Sequence, residues 1–206
     1  MNDEIEHQAF FDHMYRFSAD IASEVFWVDM AVNGRSRDLW RDSAAFPDLM
    51  SASWQSGSAT LSDVIGTSHG TALFSDRALA AVRSAKVSGF AAHGRDILAK
   101  RCAVARLGRV VSTYNLLFVA GRCGPLDRAG LRTIHVQHEG KVAAFNEGIK
   151  LDPETWDGSD VFMPDNTSMV IVADRVRKLF KTEGLTGAKF EALRGIRMLS
   201  SVSRLH

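Results

Sequence analysis

The sequence predicts an α+β fold of mixed sheets in which one strand–helix–turn–strand module is present twice. Three observations lead to this class. A segment recurs without a gap, short β-prone runs are joined by turn dipeptides in the manner of hairpins, and runs with helical periodicity are few.

The recurring segment is ALFSDRALAAVRSAKVSG at residues 72–89 and VIVADRVRKLFKTEGLTG at 170–187. Asp76, Arg77 and Gly89 align with Asp174, Arg175 and Gly187, and Leu73, Arg83, Val87 and Ser88 align with Ile171, Lys181, Leu185 and Thr186. Each copy opens on a β-prone tetrad, residues 71–74 or 169–172. Ser75 and Asp174 follow, with side chains able to accept hydrogen bonds from the exposed amides that open a helix. In the second copy Val176, Leu179 and Phe180 form one apolar stripe, while Arg175, Arg177, Lys178 and Lys181 take the opposite face. Gly184 tolerates the left-handed backbone that closes a helix. After Gly187, Ala188, Phe190 and Ala192 alternate with Lys189 and Glu191, as in a half-buried strand. The first copy has a stripe of Ala78, Ala81, Val82 and Ala85, but holds Lys86 where the second has Gly184. A non-glycine residue in that conformation costs roughly 1 kcal/mol, so this helix end is either strained or differently shaped.

Elsewhere the pattern is mixed. Residues 5–17 predict an amphipathic helix through Ile5, Ala9, His13 or Met14, and Phe17. Residues 25–32 predict a strand stopped by the Asn33-Gly34 turn, and 110–120 another strand. Residues 132–138 and 141–145, joined by Glu139-Gly140, predict a hairpin. The expected organisation is an N-terminal half, 1–110, with the first copy and a C-terminal half, 111–206, with the second, packed as one unit.

Composition is that of an ordinary globular protein, 46% hydrophobic and 24% charged, and 206 residues can bury a core without disulfides. Cys102 and Cys123 form no CxxC and read as free thiols of a reducing compartment. The longest apolar stretch, residues 114–120, is too short to cross a bilayer, and the start MNDEIEH lacks the basic and apolar regions of a signal peptide. A cytoplasmic protein with no membrane partner is therefore expected. Net charge is +1 but uneven: residues 1–50 hold four basic and ten acidic side chains (4 − 10 = −6), and residues 168–206 eight and three (8 − 3 = +5). Either the two ends lie together and compensate, or the surface is dipolar and steers a charged partner. The basic residues between Arg83 and Arg109 lack interleaved aromatics and read as a solvated face, so no nucleic-acid partner is expected.

Three constellations could carry chemistry. Gly66-Thr67-Ser68-His69-Gly70 is a literal GxSxG, with Asp127 and His135 or His138 later in the chain in the order of an α/β-hydrolase. Against a nucleophilic Ser68, the residues that follow read as strand where that fold has a helix, and residues 163–168 of the second copy carry no such pattern. His135 and His138 form HxxH, but on a strand residues three apart face opposite sides, so neither metal nor cofactor is expected. Trp27 and Trp40 read as core. Trp54 and Trp156 precede the two modules in polar surroundings and are candidate anchors for a partner.

The run DVFMPDNTSMVIVADRVRKLFKTEGLTGAKFEAL, from Asp160 to Leu193, resembles the C-terminal signature of the eleventh-numbered immunity family of bacterial polymorphic toxin systems, related to the double-CxxCG proteins. The matching features are Asp160 with Phe162, the strand at 170–172, Asp174 at the helix start, GLTG from Gly184 to Gly187, and Phe190. The segment at 72–89 resembles a similar stretch in that family's first half, so the likeness spans about a third of the chain, while the first fifty residues carry none of it. The CxxCG pairs are absent, so no zinc is implied. The resemblance implies an immunity protein, not an enzyme, that binds and neutralises a cognate toxin by occluding it. Its motif is structural and assigns no toxin-contacting residue. A serine hydrolase acting through Ser68 is the alternative.

Overall fold

Neighbouring residues of a strand point to opposite faces, so a strand in which both are apolar must be covered on both sides. Val64 and Ile65 are such a pair, and so are Val161 and Phe162, all with 0% exposure. The computed structural model describes residues 12–20, 27–30, 41, 49–56, 61–68, 70–90, 97, 99–127, 131–138 and 141–204. Strands β2 (Trp27–Met30), β3 (Leu49–Ser56), β4 (Val64–Thr67), β5 (Ala72–Phe74), β6 (Ala99–Arg106) and β7 (Arg109–Leu117) close a barrel in the order β2-β3-β6-β7-β5-β4. A five-stranded sheet runs β13 (Ala188–Ala192), β1 (Met14–Ala19), β12 (Val170–Ala173), β11 (Val161–Asp165) and β8 (Gly121–Pro125). A smaller sheet orders β14 (Arg197–Arg204), β10 (Lys141–Glu147) and β9 (Arg132–His138). Helices α1 (Asp76–Ser84) and α2 (Asp174–Thr182) follow β5 and β12. The architecture is α+β with mixed sheets, containing both parallel and antiparallel pairs.

Three apolar clusters fill the spaces between these layers. Ile65, Leu73, Cys102, Val104, Tyr114 and Leu116 form a cluster contributed by the barrel strands. The alternate residues of the same hairpin, Val64 and Phe74, pack with Val161, Val172 and the helix residues Ala78, Val82, Val176 and Phe180 in the central cluster. Phe162 and Ile171, on the far face of the five-stranded sheet, pack with Leu151, Leu193 and Ile196. Phe17 of β1 joins the central cluster, stacked on Phe74 at 5.7 Å and edge-on to Phe180 and Phe190.

The two similar segments run through the same course at matching positions. The pairs Val64↔Phe74 and Ile65↔Leu73 in one hairpin correspond to Val161↔Val172 and Phe162↔Ile171 in the other. Both helices close on the same bonds: the Val87 amide donates to the Val82 carbonyl, and Leu185 to Phe180. Lys86 has φ +50° and Gly184 φ +60°, so the lysine is held in the left-handed conformation that its counterpart adopts freely. Gly89 and Gly187 are tighter sites. A Cβ on Gly89 would drive into the carbonyl oxygen of Val161, and one on Gly187 into that of Val64.

Some expectations are corrected. Residues 14–17, expected at the end of a helix, lie in β1, because Phe17 meets the core through strand pairing with Val170 and Phe190; residues 1–11 lie outside those described. Ser75 does cap α1, accepting from the Ala78 amide at 3.0 Å, but Asp174 is not the cap of α2. That position is Ala173, which has no accepting side chain, and Asp174 instead pairs with Arg177 and Lys178 in the first turn. The strand expected over 110–120 ends at Leu117. The 110/111 boundary falls inside β7, and the barrel and the five-stranded sheet each take a strand from the other half: β1 lies between β12 and β13, and β7 beside β5. The expected hairpin is present as β9 and β10, although residues 139–140 lie outside those described. The expected strand over 25–32 is observed as Trp27–Met30, and the Asn33-Gly34 turn is outside the described residues. β1, from the acidic end of the chain, lies between β12 and β13 from the basic end, and its Arg16 pairs with Glu191 of β13, a bond between the minority charge of each end.

The backbone geometry of the two closing turns sorts four substitutions. Gly89→Ala and Gly187→Ala should each destabilise by about 3 kcal/mol or more, because the backbone must move. Gly184→Ala faces open space and should cost only the left-handed penalty, about 1 kcal/mol. Lys86→Gly should be neutral or stabilising by up to about 1 kcal/mol. Urea unfolding of the four variants checks the order.

Candidate functional site

The polar centre of the molecule is a pair of buried carboxylates, Asp63 before β4 and Asp160 before β11, each 7% exposed. Asp63 accepts from Arg77 Nε at 3.0 Å, from Ser75 Oγ at 2.8 Å, and from the Thr186 amide at 2.9 Å and hydroxyl at 3.1 Å. Asp160 accepts from the Ser88 amide and hydroxyl, both at 2.7 Å, and pairs with Arg175 at 3.2 Å. Ser88 and Thr186 are aligned positions, as are Arg77 and Arg175, so the arrangement is reciprocal. Each aspartate binds the arginine of its own helix and the closing turn of the other segment.

The arginines also cross over. Arg77 donates to the carbonyls of Glu183 and Gly184 at the end of α2, each at 3.0 Å. Arg175 donates to the Ala85 carbonyl at the end of α1, at 2.7 Å. A cation at a helix C-terminus satisfies carbonyls that have no partner within the helix and complements the helix dipole. Burial by itself would raise the Asp63 carboxyl, but the bonds from Arg77, Thr186 and Ser75 together outweigh it and lower the pKa to about 2. These groups are consumed in holding the fold, so the module residues Asp76, Arg77, Gly89, Asp174, Arg175, Gly184 and Gly187 act in architecture. Asp76 belongs to a neighbouring set, bound by Asn115 at 2.8 Å and Arg101 at 2.5 Å.

Asp63 escaped the sequence comparison although a signal exists. The tripeptide Ser-Asp-Val occurs at 62–64 and again at 159–161, at an offset of 97 where the module has 98. The turn of the second hairpin is one residue longer, which breaks an ungapped match.

Ser68 lies in the turn between the antiparallel strands β4 and β5 and is exposed. The Gly70 amide donates to the Thr67 carbonyl at 3.0 Å, and Thr67 and Thr71 share a hydroxyl contact at 2.7 Å. A nucleophile elbow places its serine between a strand and a helix whose N-terminus supports the oxyanion. Here the chain continues into β5, so that geometry is not formed around Ser68. The matching turn closes with the Thr167 amide on the Pro164 carbonyl. His69 lies outside the described residues. His135 and His138 both lie on β9. Among the described residues no three His, Cys, Asp or Glu side chains gather closely enough to hold a metal ion. Cys102 and Cys123 are free and buried, and burial pushes the Cys102 thiol up to about 11.

The tryptophans divide. Trp156 is half-buried, its indole N–H donating to the Ser159 carbonyl at 3.1 Å and its ring tilted against Phe162. Trp54 of β3 packs partly against the Ile65–Tyr114 cluster, and the Arg106 guanidinium lies 4.2 Å from its ring centre. Trp40 and the side chain of Trp27 are outside the described residues.

Arg106 leads into a feature that sequence reading missed, the tip of the β6–β7 hairpin. Leu107 and Gly108 form a two-residue loop with φ +50° and +75°, the signs of a type I′ turn. Its first position favours Asn, Asp or Gly, yet it holds leucine, 96% exposed. Arg106 and Arg109 are directly paired across the ladder, a like-charge contact. The register shifts after Val104, so Val111 is the extra residue of a bulge, and both Val110 and Val111 face solvent, at 64% and 43% exposure.

No protein-family model matches the chain, and no curated protein matches it significantly.

The carboxylate latch makes a prediction about acid. The pKa of Asp63 is lower folded than unfolded, so the unfolded chain takes up the proton first and acid favours unfolding. Asp63→Asn should destabilise by about 2–3 kcal/mol near neutral pH. The difference from wild type should shrink as pH falls from about 4 toward about 2, where the native carboxylate also protonates. Denaturant titrations of both proteins at pH 6, 4 and 3 measure it. A gap that stays constant over this range would mean that the carboxylate charge contributes nothing.

Proposed function

We propose that this chain is an immunity protein that binds and neutralises a cognate bacterial toxin in the cytoplasm by occluding it. The observation that carries this reading is the resemblance of residues 160–193 to the immunity-family signature, joined to what those residues do in the fold. Asp160, Arg175, Gly184 and Gly187 build a latch and a turn, the work of a scaffold that presents surfaces. An occluding protein needs no reacting groups of its own, only rigid complementary surface. The closure of β4 and β5 around Ser68 weighs against the hydrolase alternative, because the serine has a strand and no helix after it.

Occlusion requires nearly every toxin molecule to be complexed. At a nanomolar dissociation constant, about −12 kcal/mol, modest expression suffices. The test is co-expression with the toxic C-terminal domain encoded by the adjacent gene. Growth should be restored and the purified proteins should co-elute as one species. Absence of both rescue and co-elution would sink the reading.

A further inference from the structure

We propose that the tip of the β6–β7 hairpin is the docking surface of this protein, and that it inserts Leu107 into an apolar groove edged by carboxylates on the protein it neutralises. This inference rests on the toxin-binding reading and names its surface. The tip breaks three local rules at once, and Leu107 stays almost wholly in solvent, so the strain of its backbone is not offset by burial. A leucine occupies a left-handed turn position, a large apolar side chain is almost wholly exposed, and two arginines face each other across the ladder. Local choices that oppose the fold mark functional positions in otherwise consistent sequences.

The arrangement has the composition of an interaction hot spot: Leu107 at the apex, Val110 and Val111 turned outward by the bulge, and Arg106 stacked on Trp54 beside them. Charge selects the partner. Residues 99–117 hold Lys100, Arg101, Arg106 and Arg109 with no Asp or Glu, and of these Arg101 is already paired with Asp76. Arg106 and Arg109 then flank the leucine as planar cations suited to carboxylates. An anionic bilayer would also attract them, but one apical leucine falls far short of the apolar area that holds a protein on a membrane.

Leu107→Asn separates docking from folding, because Asn-Gly is the preferred pair for this turn. The variant should melt at a higher temperature than wild type and yet bind the adjacent gene's toxin domain, in catalytically inactive form, about 30-fold more weakly or worse. That factor is the 2 kcal/mol of a hot spot at 1.4 kcal/mol per decade. Arg109→Glu should weaken the complex as well and flatten its salt dependence. Both are measured by calorimetric titration, with pelleting on phosphatidylglycerol vesicles as a parallel arm that should show no binding. A wild-type complex that both variants form within twofold overturns this surface and leaves the immunity reading standing. Vesicle binding lost in Leu107→Asn, with toxin binding unchanged, overturns it in favour of a lipid surface. If wild type forms no complex, both readings fall.

Discussion

Two buried carboxylates hold this molecule together. Asp63 and Asp160 are removed from water, which is costly unless every lone pair finds a donor. The donors come from two directions: the arginine of the aspartate's own helix, and the backbone and hydroxyl of the other segment's closing turn. Neither half can satisfy its own aspartate alone. The same arginines reach the exposed carbonyls at the far helix end, so charge burial, helix termination and the packing of the two segments are one interaction counted from three sides.

Around this latch the chain is interlaced. β1 is built from the beginning of the chain and sits between β12 and β13 from its end, while β7 from the second half closes the barrel of the first. Close approach at Gly89 and Gly187 follows, because each closing turn runs directly over the first residue of the opposite hairpin. Pairings of such sequence separation form late and slowly compared with local hairpins. They also remove any clean boundary between halves, since cutting the chain near residue 110 would divide a barrel strand.

The interior and the surface obey different logic. Within the modules, propensity, capping and apolar pattern agree with the fold: Ser75 caps α1, Arg83 and Lys181 lie in last turns, and apolar stripes face the central cluster. Lys86 is the exception there, kept left-handed because the turn that follows must deliver Ser88 to Asp160. At the β6–β7 tip the disagreement is concentrated and faces solvent. Strain next to a latch is explained by the latch, whereas strain at a tip has no such account within the chain.

The sequence by itself determined the local units. Period-2 and period-3.6 patterns, the Ser75 cap, the Gly184 and Gly187 turns and the β9–β10 hairpin are set by residues within a few positions of one another, so they could be read directly. The likeness of the two segments was legible for the same reason, and the β-prone residues after Ser68 pointed to β5, the strand that follows it. Only the tertiary structure decided which strands meet, and thereby what the charged residues do. The N-terminal segment 14–17 has an apolar spacing that suits a helix, yet it becomes a strand because a place between β12 and β13 satisfies its backbone and buries Phe17. Asp63 has no partner nearer than Ser75 along the chain, and Thr186 lies 123 residues away. Leu107 shows nothing unusual as a letter between two arginines. Its exposure and left-handed backbone exist only once β6 and β7 pair in their register, because conformational strain and solvent contact are properties of a folded position and not of a residue type.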